Sequence, residues 1–160
     1  MVALAVVGLA SMAPALAAGS LSGHVLGAGA PIAGSTVTLW AASSGAPRQL
    51  AQVRTGVDGS FVLGTPATPG SDSFLYLVAR GGKPAASKAS GDNPAIALMT
   101  ALGQTAPSKV TINEMTTVAS VWTHNQFIDG AVIKGQPLQL KIAAGNVPSF
   151  VDLRTGGLAA

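Results

Sequence analysis

The sequence predicts a mainly β fold: an antiparallel β-sandwich followed by a small C-terminal region with two short helices. Three observations carry that expectation. The run Ser35-Thr36-Val37-Thr38-Leu39-Trp40 places Val37 and Leu39 on one side and Thr36, Thr38 and Trp40 on the other, the period of a strand. Turn residues recur at intervals of about ten positions, which favours a sandwich over βαβ units. Phe74 to Ala79 is apolar on both faces, as a central strand covered on both sides must be.

Taken in order, residues 1–17 read as a cleaved signal peptide. They are almost wholly apolar and close on Ala15-Leu16-Ala17, a small-x-small cleavage pattern, although no Lys or Arg precedes Arg48. Residues 18–82 form the sandwich core. Leu21 to Leu26 is a first short strand, and Pro31-Ile32-Ala33-Gly34 a turn into the alternating run. Leu50 to Thr55 alternates again. Asp58-Gly59 then supplies a hairpin turn, because glycine has no Cβ to clash at positive φ. Phe61 and Leu63 point inward from the returning strand.

Residues 83–93, small and polar, form a flexible linker, and residues 94–160 a C-terminal extension with one or two further strands. Asn93-Pro94 with Gly103 brackets either a capped helix or a strand on Ile96 and Leu98. The strand count of a seven-stranded sandwich favours the strand, with Lys109 to Glu114 as the last. A helix over about 116–127 follows from Met115, Val118, Ala119 and Trp122 at i, i+3, i+4 and i+7, which puts Trp122 in the core and His124 in solvent. Gln136 to Ile142 alternates as an extended piece. A second helix over about 146–154, with Asn146 as cap, turns Val147, Phe150 and Val151 inward.

Three stretches resemble a known family. Gly23-His24-Val25, Pro31 to Leu39 and Thr55-Gly56-Val57-Asp58-Gly59-Ser60-Phe61 are similar to the carboxypeptidase regulatory-like domain over about Ser20 to Gly82. The resemblance implies a prealbumin-like (transthyretin-type, Ig-like) β-sandwich and a non-catalytic module on an exported bacterial protein, some relatives of which bind carbohydrate. The chain carries no zinc-carboxypeptidase catalytic domain beside it, so the likeness implies architecture only. The end of the chain, Leu158-Ala159-Ala160, reads as the edge of an N-terminal fragment.

The reactive inventory is thin: no Cys, two His and six acids. Without Cys there is no disulfide, thiolate metal site or thiol nucleophile. No H-E-x-x-H, serine elbow or phosphate-binding loop is present, so no catalytic residue, cofactor or metal is expected. His24 reads as a partly exposed edge-strand residue, Asp58 as a turn residue and Glu114 as a helix-cap carboxylate. Only 9% of residues are charged, against about a quarter in ordinary soluble domains. The net charge of +3 is scattered, which argues against a nucleic-acid partner.

The expected role is therefore a spacer or interaction domain, secreted, periplasmic or at the cell surface, free of the membrane once the signal is removed. A cell-surface protein or polysaccharide is the candidate partner. The alternative is a carbohydrate-binding module that uses Trp40 and Tyr76 as a sugar-stacking platform, since aromatic rings offer apolar faces with a polar edge.

Overall fold

A computed structural model describes residues 19–65, 73–88 and 91–160. The signal peptide expected over 1–17 lies outside the described residues. The N-terminal strands are β1 (Gly19–Gly27), β2 (Ala30–Ala33), β3 (Thr36–Ala42), β4 (Arg48–Arg54) and β5 (Ser60–Thr65). They are followed by β6 (Phe74–Arg80), β7 (Lys83–Pro84), β8 (Ala97–Gly103) and β9 (Lys109–Ile112). Helix α1 (Glu114–Thr123), a small hairpin β10 (Ile128–Asp129) and β11 (Val132–Ile133), and helix α2 (Pro137–Asn146) complete the chain, with a 3-10 turn at Val147–Ser149.

Two sheets face each other. One runs β5-β1-β2-β7 with β9 also on β1; the other runs β4-β3-β6-β8. Leu21, Val25, Ile32, Phe61, Leu63, Val110 and Ile112 of the first sheet meet Val37, Leu39, Leu75, Leu77 and Ala79 of the second in one buried core. The fold is a mainly β sandwich, antiparallel but for one junction. β9 runs parallel to β1, from Ser22↔Lys109 to Val25↔Ile112. A Cβ on Gly23 would run into the Val110 carbonyl and the Phe61 ring, so only glycine lets these strands lie this close.

The second sheet is covered on its other face as well. Phe74, Tyr76 and Val78 of β6, with Met99 and Ala101 of β8, form a second core with Ala119, Ile133, Leu140, Val147 and Val151. Strand β6 is therefore buried on both faces, as its sequence predicts. The result is three layers: sheet, sheet and helices.

Several local expectations are corrected. Pro31–Gly34 is mostly strand, since β2 pairs with β1 through Leu26↔Pro31 and with β7 through Ala33↔Lys83. The expected linker 83–93 thus begins inside the first sheet. The Asp92 carboxylate accepts the Gly82 N–H, and the Asn93 N–H donates to the Gly82 carbonyl at 2.9 Å. Gln136–Ile142 is not extended but lies in α2, started by Pro137 in its first turn. Only the 3-10 turn occupies the start of the helix expected over 146–154, and Phe150 is exposed while Val147 and Val151 are buried. The helix expected over about 116–127 ends at Thr123, and Asp129-Gly130 belongs to the β10–β11 hairpin. The Asp58-Gly59 turn is tight, with Gly59 at φ +73, yet it joins β4 of one sheet to β5 of the other.

The β1–β2 hairpin turns on Ala28 and Gly29, at φ +51 and +77. Two positive φ values suit a two-residue hairpin, but alanine there is strained by about 1–2 kcal/mol. Glu114 Oε1 holds the turn by accepting the Ala28 N–H at 2.7 Å. Because that bond uses only the backbone of residue 28, Ala28→Gly is expected to stabilise the protein by roughly 0.5–1 kcal/mol after the extra freedom of glycine in the unfolded chain is counted. Thermal unfolding checks this, and an unchanged or lower midpoint would refute it.

Candidate functional site

Helix α1 is built on Asn113, whose Oδ1 accepts the Thr116 N–H at 2.9 Å while Thr116 Oγ1 accepts the Asn113 N–H at 3.0 Å. This reciprocal cap starts the helix where β9 ends. Its inward face is not the apolar row. Thr116, Ala119, Ser120 and His124 are buried, whereas Val118 is 63% and Trp122 70% exposed, with Met115 also exposed.

The cause is strand β8. It pairs only with β6, so its other edge presents bare backbone groups. The Met99 N–H donates to Thr117 Oγ1 at 3.0 Å and the Ala101 N–H to Ser120 Oγ at 2.8 Å. The Met99 carbonyl accepts from the Thr116 hydroxyl at 3.2 Å. Unpaired backbone in a core costs more than the burial of a few methyl groups returns, so the hydroxyl face turns inward and the apolar face outward.

This rotation also relocates His124. Expected in solvent, it is fully buried against Phe74, with ring centroids 5.0 Å apart. Its Nδ1 lies 2.9 Å from the Ser120 carbonyl and 2.8 Å from the Thr123 hydroxyl. Nε2 has no hydrogen-bond partner. Burial pushes the His124 pKa down, opposed more weakly by the Ser120 and Leu140 backbones.

The Trp40–Tyr76 platform does not form. The two residues are cross-strand neighbours, but both look into the helical layer. Tyr76 is fully buried, its hydroxyl accepting the Ile133 N–H at 3.3 Å and its pKa raised by burial; Trp40 is half-buried. The exposed tryptophan is Trp122.

The outer surfaces of the two helices carry exposed apolar side chains. Val118 and Trp122 on α1 are joined by Leu138 and Ile142 on α2, at 69% and 61% exposure. Between the end of α1 and α2 lies a groove of about 310 Å³ lined by Thr123, Asn125, Gln126, Phe127, Gln139 and Asn146, with Ile142 and Ala143 along its floor or wall. No charged side chain lines it.

A second depression, of about 200 Å³, lies on the outer face of the first sheet beside His24, Lys109 and Arg154. His24 is exposed there, but on the central strand β1 and not on an edge. Asp58 stands near His24 and Asp152 near Arg154, so charges of both signs mix. Both carboxyls sit below their usual range. Ser60 donates hydrogen bonds to Asp58 through its hydroxyl and backbone, and the Arg154 backbone N–H donates to Asp152. Among the described residues no three metal-ligating side chains come together, and no helix is long and apolar enough to cross a membrane.

No protein-family model matches the chain, and no curated protein matches it. One solved structure that resembles it is a 9R-lipoxygenase from Cyanothece PCC8801, at 13% identity and a TM-score of 0.41, with 68% of this chain and 18% of that chain covered. The chain spans less than a fifth of that protein, and a likeness this slight bears on neither activity nor ligand.

The residues that sequence reasoning missed, Thr116, Ser120 and Thr123, follow the same helical spacing as the apolar row, at i, i+4 and i+7. That hydroxyl row was the signal the sequence offered.

Proposed function

We propose that the chain is a non-catalytic β-sandwich module of an exported bacterial protein, of the carboxypeptidase regulatory-like kind, acting as an interaction domain through the outer surface of its helical layer. The observation that carries this reading is Trp122. A tryptophan 70% exposed on a helix, one turn from an equally open Val118, is poorly explained by folding alone. Tryptophan is among the residues that most often carry binding energy at interfaces. The sandwich beneath gives this surface a rigid support, because β6 is locked between two cores.

The same observation favours a cell-surface polysaccharide as partner, with Trp122 in the stacking role first expected of Trp40. An exposed indole can stack on a sugar face without rearranging the core. Labelled protein applied to washed bacterial envelopes tests the reading. Wild type is expected to adhere, and the double variant Val118→Asp, Trp122→Ser to lose roughly tenfold in affinity, the size of one interface hot spot. Both positions are exposed, so the fold should survive. Equal adhesion of the two proteins, or none by wild type, would sink the proposal.

A further inference from the structure

We infer that the groove between the end of α1 and α2 binds an uncharged oligosaccharide through its amide side chains. This inference rests on the reading of the helical layer as the contact surface and names the ligand class and the residues that would recognise it.

The lining has an unusual composition for this chain. Asn125, Gln126, Gln139 and Asn146 converge with the Thr123 hydroxyl and the half-buried Phe127 ring. Asn146 Nδ2 already donates to the Ile142 carbonyl at 3.2 Å. Among the described residues no side-chain hydrogen bond holds Asn125, Gln126 or Gln139, and all three are exposed. Each amide offers two donors and one acceptor oxygen. A sugar hydroxyl both donates and accepts, so adjacent hydroxyls on a ring complement an amide edge in a way that a carboxylate, phosphate or ammonium group does not. Phe127 supplies the apolar contact that a C–H-rich sugar face needs. With no charged group on its walls, the groove offers a charged ligand no counter-ion, and desolvating such a ligand would go uncompensated.

The position of the groove fits as well. Its walls come from two short helices held on one sheet, and it adjoins the residue before Thr123, the exposed Trp122. At about 310 Å³ it is at the small end of ligand sites, suited to a few sugar units entering from an exposed chain. The Phe127 backbone is also held in place: its N–H donates to the His124 carbonyl at 2.7 Å and its carbonyl accepts the Lys134 N–H at 3.0 Å.

Calorimetric titration of the full chain with cellohexaose, maltoheptaose and hexa-N-acetylchitohexaose tests the inference, with polygalacturonate as the charged comparison. One of the neutral oligosaccharides is expected to bind saturably, and more tightly per unit than polygalacturonate. The double variant Asn125→Ala, Gln139→Ala should weaken that binding roughly fivefold or more, the effect of about one lost hydrogen bond, with no change in unfolding midpoint. Failure of all three neutral probes to bind, or binding that the double variant leaves intact, would overturn the inference. Envelope adhesion that still depends on Val118 and Trp122 in that case would leave the interaction-module reading standing, so the two fail separately.

Discussion

Replacing Thr116 with valine is expected to destabilise the protein by about 2–4 kcal/mol, since each orphaned buried group costs roughly 1–3 kcal/mol. The two side chains have the same shape, so the loss isolates the hydroxyl. Thr116 Oγ1 is used to capacity: it accepts the Asn113 N–H at 3.0 Å and the Thr100 hydroxyl at 2.8 Å, and its proton is within reach of the Met99 carbonyl at 3.2 Å. Thr100 belongs to the second sheet and also approaches the Thr111 carbonyl of the first, at 3.3 Å. One oxygen thus ties the helix start to the second sheet at the otherwise bare edge of β8. Thr116→Ser keeps the oxygen and loses only a methyl group, so it should be much milder. Urea unfolding of both variants decides the matter. A valine variant as stable as wild type, or a serine variant as damaged as the valine one, would refute the role given to this hydroxyl.

The second large effect is a loss of stability on mild acidification, traced to His124. In the folded protein the ring is held neutral by burial, so its pKa lies below the unfolded value of about 6.5. The unfolded chain therefore binds more protons below that pH. Stability is full above about pH 6.5 and falls as the pH drops through it, at up to about 1.4 kcal/mol per pH unit, until the folded ring itself becomes protonated. The depressed carboxyls of Asp58 and Asp152 act in a lower window, because their contribution is present above the ordinary aspartate value of 3.8 and is lost only as the pH falls below it. The two windows separate cleanly. His124→Phe keeps a ring against Phe74 and removes the titration, so its unfolding free energy should be flat between neutral pH and the carboxylate range. A slope that survives in this variant, or a wild type with none, would count against the mechanism.

Both predictions concern α1, where sequence reasoning was least successful, and the physical reason is specific. A strand carries its own periodicity, so β3 could be read from alternation and β6 from the apolar run Phe74 to Ala79, while β8 followed only from the strand count of a sandwich. The direction of a helix face depends on what it covers. Apolar periodicity chose Val118 and Trp122 as the inner row because it assumes an apolar partner. The actual partner is a strand edge that needs hydroxyls, and nothing local announces that β8 lacks a neighbour. Once the face is turned, the exposed Trp122, the buried His124 and the covered Tyr76 follow together. Helix α2 was missed for a different reason. Leu138, Leu140 and Ile142 alternate like a strand, yet only Leu140 is buried, with Leu138 and Ile142 exposed. The Pro137 start was the signal that outweighed the alternation.

The parallel seam between β1 and β9 bears on the order in which the molecule comes together. Strands β3, β4, β6 and β8 can assemble as each follows the last, but β1 must wait for residues 109–112 before its open side is closed. Closing so long a loop brings its entropic cost before its reward, so this seam is expected to close late in folding. Until then one side of β1 over Ser22 to Val25 and the edge of β8 both lack partners, and the segment from Lys109 to Thr123 supplies β9 and α1 to them. The C-terminal third thus acts as the latch of the sandwich: a nascent chain remains open to self-association until that segment arrives.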